Sequence, residues 1–281
     1  MRHAAVYRYG LAGLILAGLC WQLVRAPPDW STLGHPDLSA LAIAACAAIA
    51  STIAMANVWA RLRGRAESWI DVGAVWFPSL LARYLPGGVW QGAVRAIEGR
   101  RRGEAVADNV GTFAAEQALA CFSAALLALA LQAAGPPMPA WLVGGLVATA
   151  VAAAVGLVVL GRMRLGPRWS TGAFAWTLVG HSLIAAAFAA FVAAFAPDTA
   201  TAADLLVSAR AFLVAGLAGI LAVFVPAGLG VREGLIAWLL APSLGGGVAL
   251  AIALLSRVGL VGCELAAWGA WAVARRVWRG G

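Results

Sequence analysis

An all-α integral membrane fold is predicted for this chain: about six full spans and two broken re-entrant helical hairpins, arranged as an inverted repeat. Three observations predict it. Only 11% of the 281 residues are charged, 63% are hydrophobic and the mean hydropathy is +0.87, whereas about a quarter of a soluble domain's residues are charged. Several apolar runs reach the roughly 20 residues that cross a hydrocarbon core about 30 Å thick. Two segments half a chain apart then interrupt the apolar pattern with proline and glycine, RYLPGGVW at Arg83–Trp90 and FVPAGLGVREG at Phe224–Gly234. The short loops leave no room for a separate soluble enzyme domain, so a single transmembrane domain is expected over 1–281.

The clear spans are predicted at about 6–24, 39–60, 105–134, 141–161, 170–196 and 247–273. Arg2 and Arg8 ahead of an apolar stretch resemble a signal peptide, and Leu16–Cys20 resembles a lipoprotein cleavage box. Leu19 is too large for the position before that cysteine and the apolar run is long, so an uncleaved first span is expected. Two regions remain, 69–100 and 205–243. Each has an apolar arm, a Pro/Gly break and a second arm. The second arms, about 88–98 and 231–243, are too short to cross alone.

All 20 basic residues are arginine, and they set the topology. Suppose each broken region enters and leaves on one side. Then Arg2, Arg8, Arg61, Arg63, Arg65, Arg100, Arg101, Arg102, Arg162, Arg164, Arg168, Arg275, Arg276 and Arg279 share one face, against Arg25 alone on the other. If 69–100 crossed once, the bias would reverse and weaken. Arginine-rich loops stay cytoplasmic, so both termini are placed in the cytoplasm of a bacterial-type inner membrane. The first hairpin dips from the cytoplasm and the second from outside. A pair of tilted full spans at 205–243 would give the same parity. The net charge of +8 is explained by this topology and by anionic lipid; no nucleic-acid-binding fold signal accompanies it. Cys20, Cys46, Cys121 and Cys263 are widely spaced in apolar runs, so no disulfide, metal site or cofactor is expected.

Leu80–Val89 (LLARYLPGGV) aligns with Ile220–Leu229 (ILAVFVPAGL) at an offset of 140 residues. Around this match each half, about 1–138 and 139–281, reads span, span, broken hairpin, span. Three full crossings per half make the halves inverted. Inverted repeats with paired broken helices near the midplane are the pattern of alternating-access transporters. Pro86 and Pro226 end the preceding arms. Gly87, Gly88, Gly228 and Gly230 let the chain turn, and freed N–H groups at the next arm can meet an anion. The plain alternative is a structural kink in a packed bundle.

RYLPGGVW, the GTFAAEQAL segment around Glu116, VPAGLGVREG at Val225–Gly234 and Ser256-Arg257 resemble the lysylphosphatidylglycerol synthase transmembrane region family, over nearly the whole chain. The motif is Pro-Gly-Gly-x-Gly-x-Arg-Glu, with Ala227 here in place of its first glycine. The resemblance implies a flippase-like role without the soluble synthase, and hence translocation rather than lipid aminoacylation. It implies an anionic phospholipid, an aminoacylated phospholipid or a polyprenyl-linked lipid as partner, without choosing among them.

Ionisable groups near the bilayer centre cost at least ~2.5–3.5 kcal/mol each and mark functional sites by default. Arg83, Arg95, Arg210, Arg232 and Arg257 lie in or beside the hairpins and last span, with the acids Asp71, Asp108, Glu116, Glu233 and Glu264 at similar depth. Arginine's planar fork suits phosphate. Arg83 and Arg232, beside the two breaks, are the expected headgroup ligands, with Arg257 and Glu233 supporting and Trp90 and Trp76 as candidate lining. Internal ion pairs are the alternative, Arg257 with Glu116 or Arg232 with Glu233 of another arm. Glu116 is a candidate for proton coupling or for pairing, and Asp71 for the same two roles. His181 reads as a packed hydrogen-bonding residue. Trp21, Trp30, Trp59, Trp69, Trp141, Trp169, Trp271 and Trp278 read as an interfacial belt.

The expected function is a carrier, not an enzyme, that moves an anionic lipid or lipid-linked headgroup between leaflets. The alternatives are an accessory subunit of a lipid-modifying complex, or a lipid-carrier-dependent transferase. The transferase would need paired acids at a membrane face, and Asp29 and Asp37 are poor candidates for that. Oligomeric state, homo-oligomer or monomer, is left open by the sequence.

Overall fold

A computed structural model of the protein describes residues 33, 35–64, 67–83, 90–162, 171–197, 201–222 and 230–280. They form nine α-helices and no strand: α1 (Leu38–Arg63), α2 (Trp69–Ala82), α3 (Trp90–Arg100), α4 (Val106–Ala130), α5 (Ala140–Arg162), α6 (Thr171–Phe195), α7 (Ala202–Leu221), α8 (Val231–Leu244) and α9 (Gly246–Gly280). Six of these, α1, α4, α5, α6, α7 and α9, are long and apolar enough to cross a membrane. The protein is therefore an all-α, multi-pass membrane protein. The expected span at 6–24 lies outside the described residues, as do Trp30, Pro86, Gly87, Gly88, Trp169, Pro226 and Gly228.

Helices α1, α4, α5, α6 and α9 stand where full spans are predicted. The sixth span is α7, the first arm of region 205–243. Its 20 residues reach about 30 Å, so this arm is full-length. Arg210 interrupts its apolar run, and the structure shows how that charge is absorbed. Its guanidinium donates to the Gln132 carbonyl (3.1 Å), Gln132 Oε1 (3.3 Å) and the Pro136 carbonyl (2.9 Å) at the turn after α4. The remaining arms are short. Helices α2 and α8 have 14 residues each and α3 has 11, about 21 and 16 Å, less than the hydrocarbon thickness.

Helix α1 begins at Asp37, whose carboxylate accepts from Ser39 N (2.8 Å) and Ala40 N (3.4 Å). The Ser39 hydroxyl donates to the same carboxylate, and this bond first, then the two backbone bonds, hold the Asp37 carboxyl below the usual carboxylate range. Helix α6 runs antiparallel to α1 through small residues. Asp37 N donates to Ala194 O at one end, Ser51 Oγ donates to Gly180 O (2.8 Å) midway, and Gly172 meets Arg61 at the other end. Small side chains let spans approach closely where lipid offers no hydrophobic drive.

Arg63, at the end of α1, pairs with Glu67 (2.6 Å) and Glu104. Arg102 Nη1 donates to the Asp71 carbonyl (3.0 Å). The chain thus leaves α1, traverses α2 and α3, and enters α4 at one end of the bundle. This is the same-side arrangement that the arginine distribution predicts for 69–100. Arg61, Arg63 and Arg100–Arg102 gather at this end.

The core corrects one expectation. Trp59 and Trp271 are not interfacial: they are 0% and 6% exposed, whereas Trp69, Trp141 and Trp278 are exposed. Trp271 stacks on Phe77 (5.4 Å between ring centroids) and lies against Gly73 of α2. A Cβ at Gly73 would fall 2.2 Å from Trp271 Nε1, a bulky ring that cannot swing aside in a close-packed core. Gly73→Val is expected to destabilise by about 1–3 kcal/mol, read as a lowered unfolding midpoint in detergent.

Candidate functional site: a charged cavity between the broken regions

Helices α1–α4 and α6–α9 line a cavity of about 310 Å3. Its charged lining comprises Arg83 from the end of α2, Glu116 from α4, Arg232 from α8, and Arg257 and Glu264 from α9. Gln91, Gln117 and His181 add neutral polar groups. Three of the predicted ligands, Arg83, Arg232 and Arg257, therefore share one space with Glu116. Three arginines face two glutamates, so the lining favours an anion.

Each charge is held by its own element. Arg83 caps the C-terminus of α2 and pairs with Glu264 of α9; its side chain is 39% exposed against 8% for Glu264. Arg257 pairs with Glu233, near the start of α8, and both are buried. Glu233 also accepts from Gly230 N (2.7 Å), closing the start of α8. Gly230 has φ +84°, a conformation that favours glycine. The Arg232 guanidinium lies over the Phe212 ring, 4.4 Å from its centroid, a cation–π contact that positions it in the cavity wall. Arg257 and Glu264 are seven residues apart on α9, two helical turns on one face. One span thus binds both broken regions, through Arg257 to α8 and through Glu264 to Arg83.

Arg95, also flagged by the sequence, plays a different part. It is 0% exposed and grips Glu116 with both terminal nitrogens, one at 3.2 Å. Its Nε donates to Ser79 Oγ (2.9 Å), and its plane lies 4.3 Å from the Trp59 ring centroid. All three nitrogens are thereby engaged, which leaves Arg95 a packing role. The ion pairs differ from those considered from sequence: Glu116 meets Arg95, and Arg257 meets Glu233. Together they form a charge-reversed match between the halves. In the first, the second arm carries arginine and the following span glutamate; in the second, the arm carries glutamate and the span arginine. The 140-residue offset places Glu116 opposite Ser256, one residue from Arg257.

Other predicted residues fall elsewhere. Asp71 sits in the first turn of α2, where its carboxylate accepts from the Ser68 hydroxyl (2.6 Å), and it is not among the cavity lining. Trp90 opens α3, is 46% exposed and does not line the cavity, while Trp76 does. His181 Nδ1 lies 2.9 Å from Ser123 Oγ and 3.0 Å from the Thr177 carbonyl, a packed residue that also touches the cavity. Gln91 and Gln117 were missed as lining residues; Gln117 stands out as a polar residue beside Glu116 in a mostly apolar helix, whereas Gln91 lies in the charged short helix α3, which gives no such contrast. No group of three or more metal-ligating side chains occurs among the described residues. No protein-family model, curated protein or solved structure matches this chain.

Proposed function

We propose that the protein is a carrier that moves an anionic lipid between leaflets, its phosphate held by Arg83 and Arg232 with Arg257 in support. The observation that carries this reading is the convergence of arginines from both broken regions and the last span on one cavity inside a bundle of membrane-length helices. Arginine binds phosphate through two parallel charge-assisted bonds, and a dehydrated site strengthens them. The pairs Arg83–Glu264 and Arg257–Glu233 would open in turn as phosphate replaces carboxylate. Because each pair ties one broken region to α9, their exchange couples ligand position to hairpin position, as alternating access of two inverted halves requires. The family proposed from the sequence motifs, a flippase-like family, fits this role. We place the arginine-rich end in the cytoplasm by the positive-inside rule. The reading needs no cofactor and no covalent chemistry.

Native mass spectrometry of purified protein tests binding. Phosphatidylglycerol, aminoacylated phosphatidylglycerol and a polyprenyl phosphate are offered against phosphatidylcholine. At least one anionic lipid is expected to remain bound, and phosphatidylcholine is expected to be lost. Equal retention of all four would contradict a phosphate site selective for anions.

A further inference from the structure

Beside the charged cavity lies a second cavity of about 370 Å3, formed by α1, α6, α7 and α9. Its lining is apolar: only Ser256 and Cys263 bring side-chain heteroatoms, and Ser256 spends its hydroxyl on the Ala253 carbonyl (2.8 Å). Ala48, Phe212, Leu260 and Cys263 line both cavities. Phe212 is the partition. It holds the Arg232 guanidinium at 4.4 Å and packs on Phe188 with ring centroids 4.8 Å apart. Gly259, Gly262 and Ala266 of α9 line the apolar cavity and are exposed, so among the described residues it opens to the outside of the bundle along a membrane-length helix. One molecule lying across the Phe212 wall would therefore need an anionic end and a hydrocarbon end.

We infer that the apolar cleft between α1 and α9 holds a hydrocarbon chain of the same lipid whose phosphate occupies the arginine cavity. This rests on the carrier reading and narrows it. The ligand is a chain-bearing lipid phosphate, and a free phosphate ester of the same headgroup binds far more weakly. Apolar burial scales with the chain area removed from its surroundings, while the arginines see the same phosphate in both molecules. In the bilayer the gain comes from packing against a shaped wall rather than from leaving water.

The glycines of α9 allow a test without disturbing the fold. A Cβ at Gly262 meets nothing within 4 Å, so Gly262→Leu fills the cleft from one side and also raises helix propensity. Gly269→Leu, on the same helix, is equally unobstructed and lies outside the cleft; it is the control. Probes are dioleoylphosphatidylglycerol, a C55 polyprenyl phosphate and glycerophosphoglycerol, measured by native mass spectrometry. The expected result is tight binding of a chain-bearing probe, a loss of at least about tenfold in Gly262→Leu, and no change in Gly269→Leu. Glycerophosphoglycerol binding is expected to be weak and the same in all three proteins. If glycerophosphoglycerol binds as well as the lipids, or if Gly262→Leu leaves lipid binding intact, the cleft is not a chain site and the arginine cavity stands alone. If no probe binds the wild type, the carrier reading fails and the chain site falls with it.

Discussion

Glu116→Ala is expected to destabilise the protein by about 3–5 kcal/mol, the cost of breaking a buried ion pair by removing one partner. Arg95 would remain, 0% exposed, between Trp59, Trp76 and Phe113. Arginine cannot shed its proton to escape such a site. The matching change in the second half, Arg257→Ala, is expected to cost less. It strands Glu233, whose carboxylate keeps the bond from Gly230 N. The double replacement Arg95→Leu/Glu116→Leu is expected to recover most of the loss, because an apolar pair of similar volume often matches a buried ion pair. Ser79 would keep a partner, since its hydroxyl already donates to the Trp76 carbonyl (2.6 Å). Unfolding titrations in mixed micelles measure all four proteins. A Glu116→Ala cost below that of Arg257→Ala would overturn the assignment of Arg95 as a packing residue.

The second large effect is on ligand binding. Arg232→Gln is expected to weaken binding of the anionic lipid by about 10- to 100-fold, since a hydrogen bond to a charged group contributes about 1.5–3 kcal/mol and each 1.4 kcal/mol is tenfold. Arg232→Lys is expected to restore part of it. Lysine keeps the charge and can sit over Phe212, but lacks the planar fork. Stability is expected to change little in both variants, because the Arg232 side chain is only partly buried. Retained affinity in Arg232→Gln would remove this arginine from the site.

Composition and run length were enough to give the helical class and five of the six described spans, because a bilayer imposes a length and an apolarity that single-sequence patterns record directly. The arginine distribution also gave the same-side return of 69–100, later visible as Arg63 with Glu104 and Arg102 with Asp71. Partner choice was not legible. Arg95 and Glu116 are separated by a turn whose geometry no periodicity fixes, and Arg83 reaches Glu264 across most of the chain. Trp59 and Trp271 misled for a related reason. A tryptophan near a span end sits at the interface only if its helix faces lipid there, and the α2 arm covers both. Region 205–243 was set apart from the clear spans by its Pro/Gly break, and the carbonyls that satisfy Arg210 in α7 lie on another turn, 78 and 74 residues away. The cavity arginines themselves were visible, since an unbalanced charge inside an apolar run has few explanations.

The most direct test of the carrier reading is transbilayer movement in reconstituted vesicles. Fluorescent phosphatidylglycerol, its aminoacylated form, a polyprenyl phosphate and phosphatidylcholine are placed in the inner leaflet, and their arrival outside is followed by a membrane-impermeant quencher. The account predicts protein-dependent movement of an anionic lipid, none of phosphatidylcholine, and loss of that movement in Arg83→Ala/Arg232→Ala protein that remains folded. Movement of every lipid alike, movement that survives both substitutions, or no movement at all across the panel would contradict it.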